Sequence, residues 1–409
     1  MISALSTGLH PITGEGEKVC VIVDELAGFL AEQAQHNDSA GRFAAESVAA
    51  LAEAGVLAAC VPVEDGGFGV RSLHDLAVIV NRLARADASV AVAATMHLAL
   101  TWYYARTVRS TPPEQLELPM PEWLRAVGAR EMIVCSSVAE PGAKPWELAT
   151  TATRTTDGWV INGRKVLASI CPAATHFYSR VKGETADGPL QASAMIPLSA
   201  RGVEVKDNWN GLGLRGSGSG EVLFRDVVVP EGAVVPRGPW GKPLAPGYDG
   251  RAANTAPTVA VYLGIAEAAR DTALAAVTGS ASGRTRVTSA GAKSLVAELE
   301  LRVAAARGAL HTALVVLDDH ITDTKPRAMN VHLGRTLLKE CVSAGMIVER
   351  SGVEAVDLAM QLCGGRSYGN GHPLGRMYRD IRAAAFMRPW APAEEWVDFI
   401  AEATLDRDS

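Results

Sequence analysis

The chain reads as an α+β protein in three parts: an N-terminal helical domain, a middle β-sandwich or barrel domain, and a C-terminal four-helix bundle. Three observations predict this. Apolar residues recur at helical spacing over residues 17–130. Short segments rich in β-branched residues, divided by turn signals, occupy 131–240. Long Ala/Leu-rich helical stretches then fill 241–409. Residues 1–16 read as a flexible arm.

In the first part, Val19, Val23, Leu26 and Leu30 share one stripe of a helix. Two further helical stretches follow, separated by the Gly and Pro punctuation around Pro62–Gly69. The stretch Ala88–Val108 is apolar nearly all round, which predicts an internal helix. From Met132 the pattern changes to segments such as GWVINGRKVLAS and EVLFRDVVVP, with DG and NG turn signals between several of them. Past Arg251 the helical period returns. Helices this long on short connections make an antiparallel bundle most simply.

With 409 residues the chain can bury more than one core. A net charge of −6 supplies no basic stripe for nucleic acid or an anionic membrane. No apolar run reaches the roughly 18–20 residues that span a bilayer, and the N-terminus does not read as a signal peptide, so a cytoplasmic protein is expected. Six scattered cysteines form neither a CxxC pair nor a Cys/His cluster. No metal site is expected, and buried free thiols are.

Gly211, Gly213 and Gly216 formally match the dinucleotide fingerprint GxGxxG. That motif needs a strand before it and a helix N-terminus after it to hold the pyrophosphate. Here a Gly/Ser turn runs into a strand pattern, so the glycines read as a tight loop instead.

Five motifs in order resemble the acyl-CoA dehydrogenase superfamily over nearly the whole chain. Val61–Gly69 is similar to its VPxEyGGxG turn, and Val138–Ala143 to its TEPGAGSD flavin strand. Asp157–Lys165 resembles its DGyvlnGxK hairpin, and Gly213–Arg215 with Val222–Pro230 its GxR…vxFddVxVP segment. Gln361–Gly365 with Tyr378–Asp380 looks like its QxxGG…RD pair. The resemblance implies a flavin between the β domain and the bundle, FAD foremost and FMN second. Val138 and Ala139 would meet its ring edge, Leu167 and Ser169 would stand where the family has Trp and Thr, and Gln361, Gly364 and Gly365 would reach a neighbouring subunit's cofactor. A shared cofactor site implies a homodimer or homotetramer.

The dehydrogenase reaction needs a carboxylate base. Eight residues past Asp380, where the family carries it, stands Arg388, which cannot act as a base. The alternative family position aligns with Asn254. The family's pyrophosphate arginine motif survives only around Arg284. The loop Arg215–Gly220 is similar to the RG(T/S)GS loop of the two-component (group D) flavin monooxygenases on this fold, such as dibenzothiophene monooxygenase and the oxygenase component of 4-hydroxyphenylacetate 3-hydroxylase. That likeness implies reduced flavin from a separate reductase, O2, a C4a-hydroperoxide, and hydroxylation of an aromatic or heteroaromatic small molecule, indole-type for example. Ser137, Ser169, His97 and Arg388 are the expected catalytic residues, with Ser137 also beside the cofactor. His97, Trp102, Ser217, Phe386, Met387 and Trp390 are the expected pocket wall. Two alternatives stand beside this one, a dehydrogenase with a relocated base and a non-catalytic binding protein on the flavin fold.

Overall fold

The computed structural model describes residues 8–116, 119–142, 148–241, 245–278, 289–322, 331–387, 390 and 392–405. Polar side chains open three of the N-terminal helices. Thr13 Oγ1 accepts the Gly16 N–H at the head of α1 (Gly14–Ala40), and Ser72 Oγ accepts that of Asp75 at the head of α3 (Leu73–Ala86). Asp87 accepts from Ser89 and Val90 to start α4 (Ala88–Ser110). Short α2 (Ala45–Glu53) and α5 (Met120–Gly128) complete this part. The internal helix expected from the sequence is α4, with Val90, Ala94, Leu98 and Trp102 all buried.

The strands are β1 (Val134–Ser136), β2 (Thr151–Thr155), β3 (Gly158–Ala168), β4 (His176–Thr185), β5 (Gly188–Pro197), β6 (Val203–Val205), β7 (Gly220–Val229) and β8 (Val234–Pro239). They form one mixed sheet in the order β6-β7-β3-β2-β4-β5-β8, with β1 added to β4. The β1 and β2 pairings with β4 are parallel and the others antiparallel. The Asp157–Gly158 turn sits between β2 and β3, as its sequence signals. Inward-facing Phe177 and Phe224 meet edge to face at 5.3 Å in the core.

Three long helices, α6 (Ala245–Thr278), α7 (Ala290–Leu317) and α8 (Val331–Cys363), build the C-terminal part, with α9 (Pro373–Ile381) and α10 (Ala393–Leu405) laid on α8. Helix α3 docks against α6. That approach needs a glycine, because a Cβ on Gly264 would lie 2.6 Å from the Asn81 carbonyl oxygen. Among the described residues no helix is long and apolar enough to cross a membrane.

His97 ties α4 to the sheet. Its Nδ1 lies 3.1 Å from the Val134 N–H and its Nε2 3.0 Å from the Leu57 carbonyl. An amide can only donate and a carbonyl only accept, so the ring is neutral with its proton on Nε2. Burial pushes its pKa down to about 4. The expectation that His97 lines a pocket or acts in catalysis is therefore corrected: it is fully buried, and both nitrogens are committed to the backbone.

The unfolded chain takes up this proton near pH 6.5 and the folded one only near pH 4. Stability should accordingly fall by up to about 3 kcal/mol as pH drops through that window. His97→Phe should cost about 2–4 kcal/mol at pH 7 by orphaning both backbone groups, and should flatten that slope. Urea unfolding at several pH values checks both.

Candidate active site

Three backbone segments converge at the C-terminal end of β1 and the end of β3. Ser137 Oγ donates to the Val166 carbonyl at 2.6 Å and accepts the Ala139 N–H at 3.1 Å. The Val166 N–H returns to the Ala139 carbonyl at 3.0 Å, and Ser179 Oγ holds the Ser137 carbonyl at 2.7 Å. The Ser137 hydroxyl proton is thus spent on shaping the turn. Beside it stands a buried ion pair. Lys165 Nζ lies 2.5 Å from Glu140 and also donates to the Arg180 carbonyl at 3.0 Å. Glu140 in turn accepts the Thr150 N–H at 3.1 Å.

This frame leaves two apolar side chains in the open. Val138 is 43% and Leu167 54% exposed. Leu167 has φ 56° and Ile170 φ 66°, left-handed values that cost a branched side chain energy and recur where a site imposes the backbone. Between them lies Ser169, whose Oγ is 2.9 Å from Ser219 Oγ, itself 2.7 Å from Ser217 Oγ. Three hydroxyls share two hydrogen bonds, so one proton remains for an outside acceptor. Ser217 is sealed off, whereas Ser169 and Ser219 each keep 7% exposure and can present it.

The loop carrying Ser217 and Ser219 is anchored from below. Asp380 Oδ1 accepts the Leu214 N–H at 2.6 Å, and Trp209 Nε1 donates to the Leu214 carbonyl at 2.8 Å. Arg379 pairs with Asp38 of α1 at 2.6 Å and reaches the Leu212 carbonyl at 3.3 Å. A Cβ on Gly213 would sit 2.3 Å from the Arg379 carbonyl oxygen, so the loop can lie on α9 only with glycine there. Burial raises the Asp380 pKa to about 6 against the opposing charge of Arg376.

The structure thus brings together Ser137, Val138, Ala139, Leu167, Ser169 and Ser217. Trp102 and Trp390 are corrected from pocket wall to core. Each is at most 2% exposed, with its indole N–H on a backbone carbonyl, Arg71 at 2.7 Å and Ala384 at 2.9 Å. Phe386 is 82% exposed and Met387 is half-buried. Gln361, Gly364 and Gly365 lie exposed where α8 ends. Arg284 and Arg388 fall outside the described residues. The sequence reading missed the Glu140–Lys165 pair. Its signal was a lysine sharing inward parity with Trp159 and Ile161 on one strand. Among the described residues no group of His, Cys, Asp or Glu is placed to hold a metal, and all six cysteines are free and buried.

An apolar edge with a spare hydroxyl proton beside it suits a planar, polar-rimmed ring such as a flavin. Residues 21–110, 135–227 and 257–388 match the N-terminal, middle and C-terminal domain families of acyl-CoA dehydrogenase. The chain belongs to the acyl-CoA dehydrogenase superfamily, as a flavoprotein oxidoreductase. It is 35% identical to L-evernosamine nitrososynthase of a Micromonospora species, over 98% of this chain and 93% of that one. It is 32% identical, at a TM-score of 0.86, to KijD3 solved with FMN and dTDP-3-amino-2,3,6-trideoxy-4-keto-3-methyl-D-glucose, over 98% and 96% of the two chains. Dibenzothiophene monooxygenase from Paenibacillus sp. A11-2 aligns over 96% and 98% at a TM-score of 0.80 but only 20% identity, a likeness of fold alone. FAD and FMN both fit the family evidence.

Lys165→Met should strand the Glu140 charge in the interior and cost about 3–5 kcal/mol. Adding Glu140→Gln should recover part of the loss, and thermal unfolding of the single and double variants measures it.

Proposed function

We propose that the protein is a flavin-dependent N-oxygenase that converts the primary amine of a nucleoside-diphosphate amino sugar to its nitroso form. Reduced flavin from a separate reductase, with O2, would supply each oxygen atom. The balance closes in two rounds: R–NH2 + O2 + FMNH2 gives R–NHOH + H2O + FMN, and R–NHOH + O2 + FMNH2 gives R–N=O + 2 H2O + FMN. The observation that carries the reading is the state of the acids beside the flavin edge. Glu140 is locked on Lys165 and Asp380 on the Leu214 amide, and Asn254 stands at the alternative base position. This arrangement does not favour abstraction of a carbon-bound proton. It does suit an amine, whose own lone pair is the nucleophile. The full-length likeness to the amino sugar enzyme, at 35% identity, supports this substrate class over the aromatic one expected from the sequence.

In this reading Val138, Ala139 and Leu167 pack against the flavin ring. Ser169 and Ser219 would offer it their spare proton, and the enclosed Ser217 holds Ser219, which in turn bonds Ser169. Covering the apolar edge keeps water from the reacting atoms.

Enzyme, reduced FMN, O2 and a dTDP-3-amino-sugar should yield products heavier by one oxygen and then by one oxygen less two hydrogens, read by mass spectrometry. An unchanged amine alongside bleaching of oxidised flavin by an acyl-CoA would sink the proposal in favour of dehydrogenation. Ser169→Ala should lower product formed per flavin oxidised by roughly tenfold, the worth of one hydrogen bond, with hydrogen peroxide rising to match.

A further inference from the structure

A second set of residues lies on the other face of the strand that supports the flavin edge. Strand β4 buries Phe177, Ser179 and Val181 on one side and turns Tyr178, Arg180 and Lys182 to the other. Opposite them on β5 stand Met195, Ser193 and Gln191. Ser193 Oγ gathers two donors, Tyr178 Oη at 3.1 Å and Arg237 Nε of β8 at 3.2 Å. Arg180 Nη2 donates to Gln191 at 2.5 Å. From the first turns of α6, Arg251 adds a charge that opposes that of Arg180.

Three features mark this face as built for an anion. Among the described residues none of Arg180, Arg237 and Arg251 meets a carboxylate. Lys182 is balanced by Glu184 at 3.2 Å, so the uncompensated charge is that of the arginines. Burial lowers the pKa of Arg251, and the like charge of Arg180 adds to the lowering. Independently, the Tyr104 hydroxyl is without a hydrogen-bond partner on a residue only 3% exposed. Its ring meets that of Tyr178 edge to face at 6.0 Å, next to Arg237. A buried hydroxyl left unpaired is destabilising, and a ligand oxygen would give it a partner.

We propose that Arg180, Arg237 and Arg251, with the Tyr104 hydroxyl, form a diphosphate-binding mouth to the active site. The inference rests on the proposed amino-sugar reading and assigns the residues that hold the nucleotide end of that substrate. The reach is short. Ser179, next to Arg180 on β4, holds the carbonyl of Ser137 at 2.7 Å, one residue before Val138. A diphosphate held by the arginines would leave its attached sugar near the Ser137–Ala139 turn. Guanidinium forks match phosphate oxygens in pairs, which fixes orientation as well as affinity.

A diphosphate also occurs in coenzyme A, and the test separates the two sources. Inorganic pyrophosphate, dTDP and coenzyme A are titrated calorimetrically into the flavin-loaded protein and into Arg251→Gln and Arg237→Gln. Circular dichroism and FMN affinity report whether each variant keeps its fold. The mouth predicts that pyrophosphate and dTDP each weaken at least about tenfold in either variant, the loss of one charge-assisted hydrogen bond, and more steeply at low salt. Unchanged dTDP affinity in both folded variants overturns the mouth while leaving amine oxidation standing. Arginine-dependent binding of pyrophosphate without binding of dTDP overturns the nucleotide assignment, and tighter binding of coenzyme A than of dTDP does so in favour of a thioester.

Discussion

The hydrogen bond from the Leu214 amide to Asp380 is the contact on which the site depends. Through it α9 holds the loop that carries Ser217 and Ser219, while the neighbouring Arg379 clamps the same loop to Asp38 of α1. Helix α4 meets the loop from a third side, where Ser89 Oγ accepts the Gly216 N–H at 3.3 Å. Helical layers from both ends of the chain therefore close on one turn of the middle sheet. The carboxylate doing this is fully buried, which is why burial lifts its pKa. Its second oxygen has no hydrogen-bond partner, and Arg376, 3.7 Å away, offsets the charge.

The parts of this architecture legible in the sequence were those with a period or a motif. The apolar run around Leu98 announced an internal helix, and the alternation of GWVINGRKVLAS announced β3. The proposed flavin edge rests on Val138, Ala139, Leu167 and Ser169, which sit in local motifs whose spacing survives. What the sequence did not disclose was partnership across distance. His97 in an apolar helix reads equally as core or as pocket, and only the positions of Leu57 and Val134 decide it. Trp102 and Trp390 show the same ambiguity, since an indole lining a pocket and one bonded to a carbonyl look alike in one dimension. The arginines 180, 237 and 251 share no motif at all. Strand register brings Arg180 and Arg237 to the two sides of β5.

The two charge patterns of the site have opposite designs. At the proposed flavin edge Glu140 and Lys165 pair with each other, so the surface offered to a ring is apolar with a single hydroxyl proton to give. At the proposed mouth Arg180 and Arg237 meet neutral partners, Gln191 and Ser193, instead of carboxylates. Placing unpaired charge away from the reacting atoms lets a substrate be gripped strongly without perturbing groups near the flavin. It also gives the binding energy a use, since a grip on the remote end of a molecule can be spent on orienting the reactive end.

Strand β4 carries both designs, one on each side. Its inward residues brace the flavin turn through Ser179, and its outward residues supply Arg180. Point changes on either side can therefore drift separately, letting homologues alter what they grip while the oxidising surface persists. Inserting or deleting one residue is a different matter. A shift of one position exchanges the two sides of a strand, sending Arg180 into the core and Ser179 outward. Across descendants of this sequence, β4 should thus vary freely in composition on its outer side and hardly at all in length.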